Sequence, residues 1–224
     1  MIKQLQNAGF KKSSLVVTGN PIYDSIFQEL QNSKNLQSES KENRILLITS
    51  HMVGLQDNWV KTKRDNMIKE MINTIKNQKE SVKLSVKIHP SNESLDEYEN
   101  LIHKIDPSIK IYQKESILKL LNESDVVIST SSSTAMVCGL LAEKPLIIHN
   151  CFQLDHDEFL KRGLVTECKE LSDIISSIHT SINTKPSKIK IEKFVKEVLF
   201  KSDGHASERI SDSIISLLEN FKQK

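Results

Sequence analysis

Short apolar runs alternate with helix-length periodic stretches along the chain, and this alternation restricts the possible folds more than any other feature. Continuous apolar runs at 45–48, 126–128 and 146–148 are typical of strands buried on both faces of a sheet. The run at 82–88 alternates with period two and stops at His89 and Pro90. The strand candidates, in chain order, are 14–17, 45–48, 82–88, 109–112, 126–128, 146–148 and 164–165.

Helical periodicity occupies the intervals between these runs. Apolar residues at spacings of three and four predict helices at 66–77, 95–105, 116–122, 134–143, 171–182, 191–200 and 206–221. Repeated strand–helix–strand units imply an α/β fold, a doubly wound parallel sheet of the Rossmann-like kind with helices on both faces. Ligands of such sheets bind beyond the carboxyl ends of the strands, so the residues directly after each strand are the informative ones.

Composition divides the chain into four segments. Residues 31–43 are polar and predict a mobile connection. The segment 1–30 before them is expected to form a strand–turn–helix unit, and 44–188 after them the Rossmann-like core. Residues 189–224 are expected to form C-terminal helices that pack on this domain.

Charge, hydropathy and cysteine content exclude several classes of protein. The formal net charge of +2 comes without a clustered basic face, which argues against a nucleic-acid-binding protein. No apolar run approaches the roughly 20 residues that cross a bilayer, and the start of the chain lacks a signal peptide. Three cysteines without a Cys-x-x-Cys spacing argue against a disulfide framework and a zinc site. We therefore expect a cytoplasmic protein, or one peripheral to a membrane, with no transmembrane segment, no metal and no cofactor.

The ends of the first two strand candidates carry polar turns. Gly19 and Asn20 follow 14–17, and glycine allows a backbone that other residues avoid. A strand-to-helix turn explains them as well as close approach to a ligand does. His51 follows 45–48 in a long loop with Trp59, the only tryptophan. These two side chains could contact a sugar, or Trp59 could pack over the core from an ordinary surface loop.

Two cationic side chains mark the end of the third strand candidate. Lys87 and His89 share one face by strand alternation, and both can donate hydrogen bonds to a phosphate oxygen. Pro90 stops the strand directly after His89. A structural histidine is the alternative interpretation, but the position at the predicted ligand edge favours phosphate contact.

A run of six hydroxyl residues at 129–134 is the strongest local signal in the chain. It lies between a buried strand and an apolar helix, so its hydroxyls and backbone N–H groups gather at one helix N-terminus. Simple helix capping needs only one such residue. We therefore predict phosphate binding by Ser131, Ser132, Ser133 and Thr134. The tail at 203–210, by contrast, predicts only a turn at Gly204 and a helix cap from Asp203 or Ser207.

Short motifs give the chain a family resemblance. The segment 16–24, Val-Val-Thr-Gly-Asn-Pro-Ile-Tyr-Asp, resembles the Val-Thr-Gly-Asn-x-x-x-Asp segment of UDP-N-acetylglucosamine 2-epimerases, and 203–210 resembles their tail. His89-Pro90 and the serine run at 131–133 resemble motifs of bacterial polysialyltransferases and capsule-polysaccharide glycosyltransferases. Both groups have the two-domain GT-B fold, and the resemblance is to its C-terminal, nucleotide-sugar-binding half.

The resemblance implies roles for individual residues. His89, as the catalytic group, would stabilise the leaving phosphate together with Lys87 and the serine run. The segment after the fourth strand, with Tyr112, Lys114 and Ile117, would lie against the base. Gly19, Asn20 and His51 would line the cleft between the two domains.

Departures from the epimerases bear on the reaction. They have Ser-Gly-Gly and then a Glu-Glu pair where this chain has Ser-Ser-Ser-Thr-Ala-Met at 131–136, and the acidic residue that would hold the ribose is absent. Their Arg-rich segment is replaced by His-Asn-Cys-Phe-Gln-Leu-Asp at 149–155.

These departures favour the donor half of a glycosyltransferase that uses a UDP-, CDP- or CMP-linked sugar in surface polysaccharide or glycan synthesis. An N-terminal domain or partner chain would then bring the glycan acceptor. Half of an epimerase, and a non-catalytic nucleotide-binding module, are the alternatives.

Overall fold

The computed structural model describes residues 2–32, 43–50, 60–78, 81–91, 93–151 and 157–222. The chain separates into two compact units. One consists of Met1–Lys34 with Glu192–Lys224, and the other of Asn35–Ile191. The packing of residues 189–224 on the core therefore stays a prediction.

The larger unit contains a six-stranded parallel sheet in the order β3-β2-β1-β4-β5-β6, the Rossmann-like arrangement. The strands are β1 Asn43–Ile48, β2 Val82–Lys87, β3 Lys110–Tyr112, β4 Val126–Ser129, β5 Leu146–His149 and β6 Thr166–Cys168. The helices are α3 Lys61–Lys76, α4 Leu95–Ile102, α5 Ile117–Asn122, α6 Thr134–Leu141, α7 Asp157–Leu160, α8 Ile174–Asn183 and α9 Lys188–Phe194, which ends in the smaller unit. The predicted fold class is confirmed.

Strand alternation divides the core between the two faces of the sheet. Ile45 and Leu47 of β1 belong to the cluster that packs with apolar residues of α3, α4 and α8. On β5, Leu146 points to the other face, where it contacts α6. A Cβ at Gly139 of α6 would lie 2.7 Å from Leu146, so the missing side chain lets α6 approach the sheet closely.

The smaller unit contains helices and helical turns from both ends of the chain. They are α1 Ile2–Asn7, the 3-10 turns Lys12–Ser14 and Pro21–Tyr23, α2 Asp24–Asn32, the π-turn Val195–Leu199 and α10 Ala206–Lys222.

Two strand predictions are wrong. Residues 14–17 form no strand, although Leu15 has an extended backbone. Val16 is 67% exposed and Val17 41%, so their β-branched side chains do not form part of a buried sheet. The final strand is β6, which begins at Thr166, directly after the predicted 164–165. The polar segment 31–43 lies mostly outside the described residues.

Candidate functional site

The carboxyl ends of β2, β1 and β4 form a continuous edge, because hydrogen bonds continue past the ends of the strands. The Thr49 N–H donates to the Lys87 carbonyl at 3.0 Å, and the Thr130 N–H donates to the Ile48 carbonyl at 3.3 Å. Beyond them, the Ser50 N–H donates to the Thr130 hydroxyl at 3.0 Å. The loops that follow these three strands are therefore held side by side.

The hydroxyl run at 129–134 stabilises its own loop. The Ser129 hydroxyl donates to the Ser131 carbonyl at 2.8 Å, and the Thr130 hydroxyl lies 2.9 Å from that of Ser50. Ser133 is the N-cap of α6, where its hydroxyl accepts from the Met136 N–H at 3.4 Å. The hydroxyls of Ser129, Thr130 and Ser133 thus have structural partners, so the length of the run overstates how many are available to a ligand.

The N-terminus of α6 nevertheless presents donors to this edge. Within the described part of the chain, the backbone N–H groups of Thr134 and Ala135 have no acceptor. The Ser132 and Thr134 side chains are exposed, whereas Ser131 is buried. First-turn N–H groups carry the positive end of the helix dipole and therefore favour an anion. The contact of Ser131, Ser132, Ser133 and Thr134 with phosphate stays a prediction.

Lys87 and His89, the predicted cationic pair, both have partners within the chain. The Lys87 ammonium donates to the Gln113 carbonyl at 3.0 Å. Burial lowers the pKa of Lys87, and the charge of Glu115 opposes that effect. The His89 Nδ1 contacts the Ser91 carbonyl and lies 3.3 Å from the Ser91 N–H. Hence His89 has a defined place at the edge, and its contact with phosphate stays a prediction.

The residues predicted to contact the base lie at the end of β3 and directly after it. Tyr112 is half-buried, and burial raises the pKa of its phenol, helped by the charges of Glu123 and Glu115. Lys114 is exposed, and Ile117 is the first residue of α5. Their contact with a base stays a prediction.

A buried ion cluster lies beside this edge and was not predicted from the sequence. The Arg64 side chain, only 4% exposed, donates to Glu93 at 3.2 Å and to Glu97 at 3.1 Å. Its guanidinium also lies 4.9 Å from the centre of the Tyr98 ring. Arg64 occurs in a charged stretch that is typical of an exposed helix surface, so no sequence signal distinguished it.

A groove of about 930 Å³ lies between the start of α3 and the ends of β5 and β6. Lys63, Asn66, His149 and Asn150 are among its lining residues. His149 Nδ1 donates to the Cys168 carbonyl at 3.1 Å, and burial lowers the pKa of His149. Burial therefore favours the neutral ring, in which Nδ1 is the donor and Nε2 the hydrogen-bond acceptor.

The two segments that resemble epimerase sequences meet within the smaller unit. The Asp24 carboxylate accepts from the N–H of Ala206 at 3.0 Å and that of Ser207 at 2.7 Å. Arg209 donates to the Thr18 carbonyl at 2.7 Å. Asp24 therefore caps α10, and the predicted cap from Asp203 or Ser207 is wrong. Asp203 instead pairs with Arg209 at 2.8 Å.

Gly19 and Asn20 shape the turn that leads to Asp24. Gly19 has a φ of +90°, and a Cβ there would lie 3.3 Å from the Cβ of Ala206. The Asn20 side chain accepts from the Ile22 N–H at 3.1 Å. Their position in a cleft stays a prediction. His51, the third predicted cleft residue, lies outside the described residues, as do residues 152–155 of the 149–155 segment.

Two further structural findings concern the described residues alone. They contain no group of three or more His, Cys, Asp and Glu side chains placed to hold a metal ion. None of their helices combines the length and apolar character that a membrane span needs.

Solved structures with this fold include a UDP-GlcNAc 2-epimerase and a glycosyltransferase. The UDP co-structure of MnaA from S. aureus matches with a TM-score of 0.63 and 17% identity, over 97% of this chain and 57% of that chain. UDP-GlcNAc 2-epimerase from Neisseria meningitidis, bound to UDP-GlcNAc, matches with a TM-score of 0.62 and 13% identity, over 96% and 59%. The calicheamicin glycosyltransferase CalG4 matches with a TM-score of 0.55 and 13% identity, over 83% and 44%.

Sequence comparison gives one family match. The family model described as UDP-N-acetylglucosamine 2-epimerase matches residues 1–215. No curated protein sequence matches the chain. The chain spans less than three fifths of the length of the structural relatives above.

Proposed function

This chain belongs to the UDP-N-acetylglucosamine 2-epimerase family, and on that premise we propose that it binds the nucleoside diphosphate of a UDP-activated sugar. The site is the edge formed by the carboxyl ends of β1, β2, β4 and β5. Open crevices at these strand ends are where doubly wound sheets bind nucleotides.

The observation that carries the proposal is the set of backbone donors at the first turn of α6. The N–H groups of Thr134 and Ala135 have no acceptor within the described residues, and the Ser132 and Thr134 side chains are exposed next to them. A phosphate at this position would accept from those N–H groups and gain from the helix dipole. His89 would donate to the same diphosphate from the loop after β2.

The remaining edge can accommodate the other parts of the ligand. Tyr112, Lys114 and Ile117 would contact the base at the β3 side. The groove lined by His149 would receive the sugar, because the acceptor nitrogen of a neutral histidine can take a hydroxyl hydrogen bond. No metal or cofactor is needed for binding of this kind.

For the whole protein, membership of the family supports 2-epimerisation of the bound UDP-sugar as the reaction. A second candidate is sugar transfer, with this chain as the donor half and a glycan acceptor bound by an N-terminal-type domain or a partner chain. The segment 131–136 favours it, since it reads Ser-Ser-Ser-Thr-Ala-Met and lacks the acidic pair of the epimerases.

Calorimetric titration with UDP tests the binding proposal. We expect a Kd between about 1 μM and 1 mM, which corresponds to about −8 to −4 kcal/mol. UDP-GlcNAc, CDP and CMP in parallel titrations identify the base and the contribution of the sugar. A folded chain that binds none of these ligands would contradict the proposal.

His89→Ala tests the site assignment. We expect a loss of about 1–3 kcal/mol in UDP binding, the range for a charge-assisted hydrogen bond. His179→Ala is the control, because His179 is an exposed residue of α8. A lower melting temperature with unchanged UDP affinity would show that His89 is structural.

Product analysis separates the two reactions. The purified chain, incubated with UDP-GlcNAc, is expected to bind it without turnover, because the acceptor and any general base are expected to come from another domain, and orientation supplies about 7–11 kcal/mol of barrier lowering. Addition of an N-terminal-type domain should give the 2-epimer, or a glycosylated acceptor if transfer is the reaction. Robust transfer by the chain alone would overturn this division of roles.

A further inference from the structure

Three polar side chains line the groove between the start of α3 and the ends of β5 and β6. Asn66 and Glu70 are four residues apart on α3, so they lie on the same side of that helix. His149 lines the groove from the end of β5. The groove therefore has a helix wall and a strand wall, and each carries groups that can bind the hydroxyls of a sugar.

The imidazole of His149 is a fixed acceptor on the strand wall. His149 is only 4% exposed, and its Nδ1 donates to the Cys168 carbonyl at 3.1 Å. Its Nε2 makes no hydrogen bond to any residue in the described part of the chain. Because a buried polar atom without a hydrogen bond costs free energy, this nitrogen favours a ligand that brings a donor.

Two carboxylates lie within electrostatic range of this ring. Burial lowers the pKa of His149, whereas its backbone hydrogen bond and the charges of Glu170 and Glu70 oppose that effect. Glu70 belongs to the helix wall, and Glu170 follows the end of β6. The surroundings of the His149 acceptor are therefore acidic on both sides of the groove.

The other charges that line the groove do not cancel these two carboxylates. Glu167 lies 3.9 Å from the Lys169 ammonium, and Lys63 is the second lysine in the lining. The side chains of Glu70 and Glu170 make no hydrogen bond or salt bridge with any described residue. Such a carboxylate can accept hydrogen bonds from hydroxyl groups, and it repels a second anion.

We propose that Glu70 is a specificity-determining residue, which binds hydroxyl groups of the sugar together with His149 and disfavours sugars that carry a carboxylate. The inference rests on the proposed function, because it places the sugar in this groove. A neutral hexose would donate to Glu70 and to the His149 Nε2 and would accept from the Asn66 amide. A uronic acid would bring a second carboxylate to the acidic wall, so repulsion would weaken its binding.

Calorimetric titrations with two matched donors test the proposal. UDP-glucuronic acid has a carboxylate where UDP-glucose has a hydroxymethyl group, and the two are otherwise identical. The unmodified chain should bind UDP-glucuronic acid about 3- to 10-fold more weakly, as expected for like charges several ångströms apart in partly solvated surroundings. This ratio should decrease when NaCl is raised from about 0.05 M to about 0.5 M, because salt screens exposed charges.

Glu70→Gln isolates the charge, because it keeps the shape of the side chain and its capacity to accept a hydrogen bond. We expect the ratio of the two affinities to fall to less than about half of its value in the unmodified chain. Any effect on the nucleotide part cancels in this ratio. Glu99→Gln is the matched control, since Glu99 lies on α4 and is not among the residues that line the groove, and its ratio should not change. Glu70 is exposed, so Glu70→Gln should fold, and its melting temperature checks this.

The outcomes separate this inference from the function on which it rests. Absence of UDP binding by the unmodified folded chain would overturn the proposed function, and the inference with it. Binding of UDP with equal affinities for the two UDP-sugars, or with tighter binding of UDP-glucuronic acid, would overturn the inference alone. Discrimination that persists undiminished in Glu70→Gln, or that does not respond to salt, would exclude the charge of Glu70 as its cause.

Discussion

The N-termini of α6 and α10 both begin in polar turns but differ in what caps them. Ser133 caps α6 from the adjacent position, with a single hydroxyl at 3.4 Å from the Met136 N–H. Asp24 caps α10 from 182 residues away, with separate carboxylate oxygens at 3.0 Å and 2.7 Å from the N–H groups of Ala206 and Ser207. Both turns are polar and lie at the start of a helix, yet only α10 already holds an anion.

This difference separates a structural turn from a candidate ligand site. The positive end of α10 is neutralised by a carboxylate of the chain itself, so an external phosphate would have to displace Asp24. At α6, the N–H groups of Thr134 and Ala135 have no acceptor among the described residues. Polar residues at a helix start therefore do not by themselves indicate a ligand site. The better indicator is whether the first-turn N–H groups already have an acceptor within the protein.

Removal of the Asp24 carboxylate should have the largest effect. Asp24→Ala leaves the N–H groups of Ala206 and Ser207 without their acceptor, and we expect the stability to fall by about 2–3 kcal/mol. Hydrogen exchange at these two amides should accelerate, while UDP affinity of the folded protein should not change. If UDP affinity fell as well, the α10 turn would take part in ligand binding and the contrast with α6 would fail.

Substitution of the α6 hydroxyls should lower UDP affinity more than it lowers stability. Ser132→Ala combined with Ser133→Ala should weaken UDP binding by about 1–2 kcal/mol and lower stability by about 1 kcal/mol or less. Ser176→Ala, on the exposed side of α8, is the control. Unchanged titration curves for the double variant would leave only the backbone N–H groups as phosphate donors.

The parts of the fold that could be predicted are those with a local cause. The buried strands β1, β4 and β5 are continuous apolar runs, and α10 has an apolar residue at each turn, so pattern alone located them. The run at 14–17 failed because β-branched residues do not reveal whether their side chains will be buried. Val16 has the composition of a strand and is 67% exposed.

The candidate site was predictable only in its strand-end position. That His89 and the serine run share one edge follows from parallel topology. The structural partners of Lys87, Ser129 and Thr130 do not follow, because each bond joins residues whose proximity depends on tertiary packing or on the exact turn. The contact between Gln113 and Lys87 and the Asp24 cap of α10 were missed for the same reason, because the partners lie apart in the sequence.

A glycine pair tests how closely the Asp24 turn packs on α10. Gly19 and Gly9 both have positive φ, +90° and +96°, so alanine costs about 1 kcal/mol at either position. At Gly19 the new Cβ would also lie 3.3 Å from Ala206, whereas nothing lies within 4 Å at Gly9. Gly19→Ala should therefore melt at a lower temperature than Gly9→Ala. Equal melting temperatures would show that the turn shifts to accommodate the new Cβ at no cost in stability.

The acid dependence of stability should show the smallest effect. Burial raises the pKa of Asp24, but hydrogen bonds from Ser207 and Ala206 and the charge of Arg209 outweigh it, so the pKa lies below its usual value. A depressed folded-state pKa contributes stability that is present above the unfolded value of about 4 and is lost as the pH falls through the folded value.

The stability difference between the unmodified chain and Asp24→Asn should thus be constant from about pH 7 to pH 5 and shrink below about pH 4. Asp203, whose pKa the Arg209 hydrogen bond lowers, is present in both proteins and largely cancels. Urea unfolding at each pH measures the difference, and a gap that widened on acidification would show that Asp24 is protonated when it caps α10.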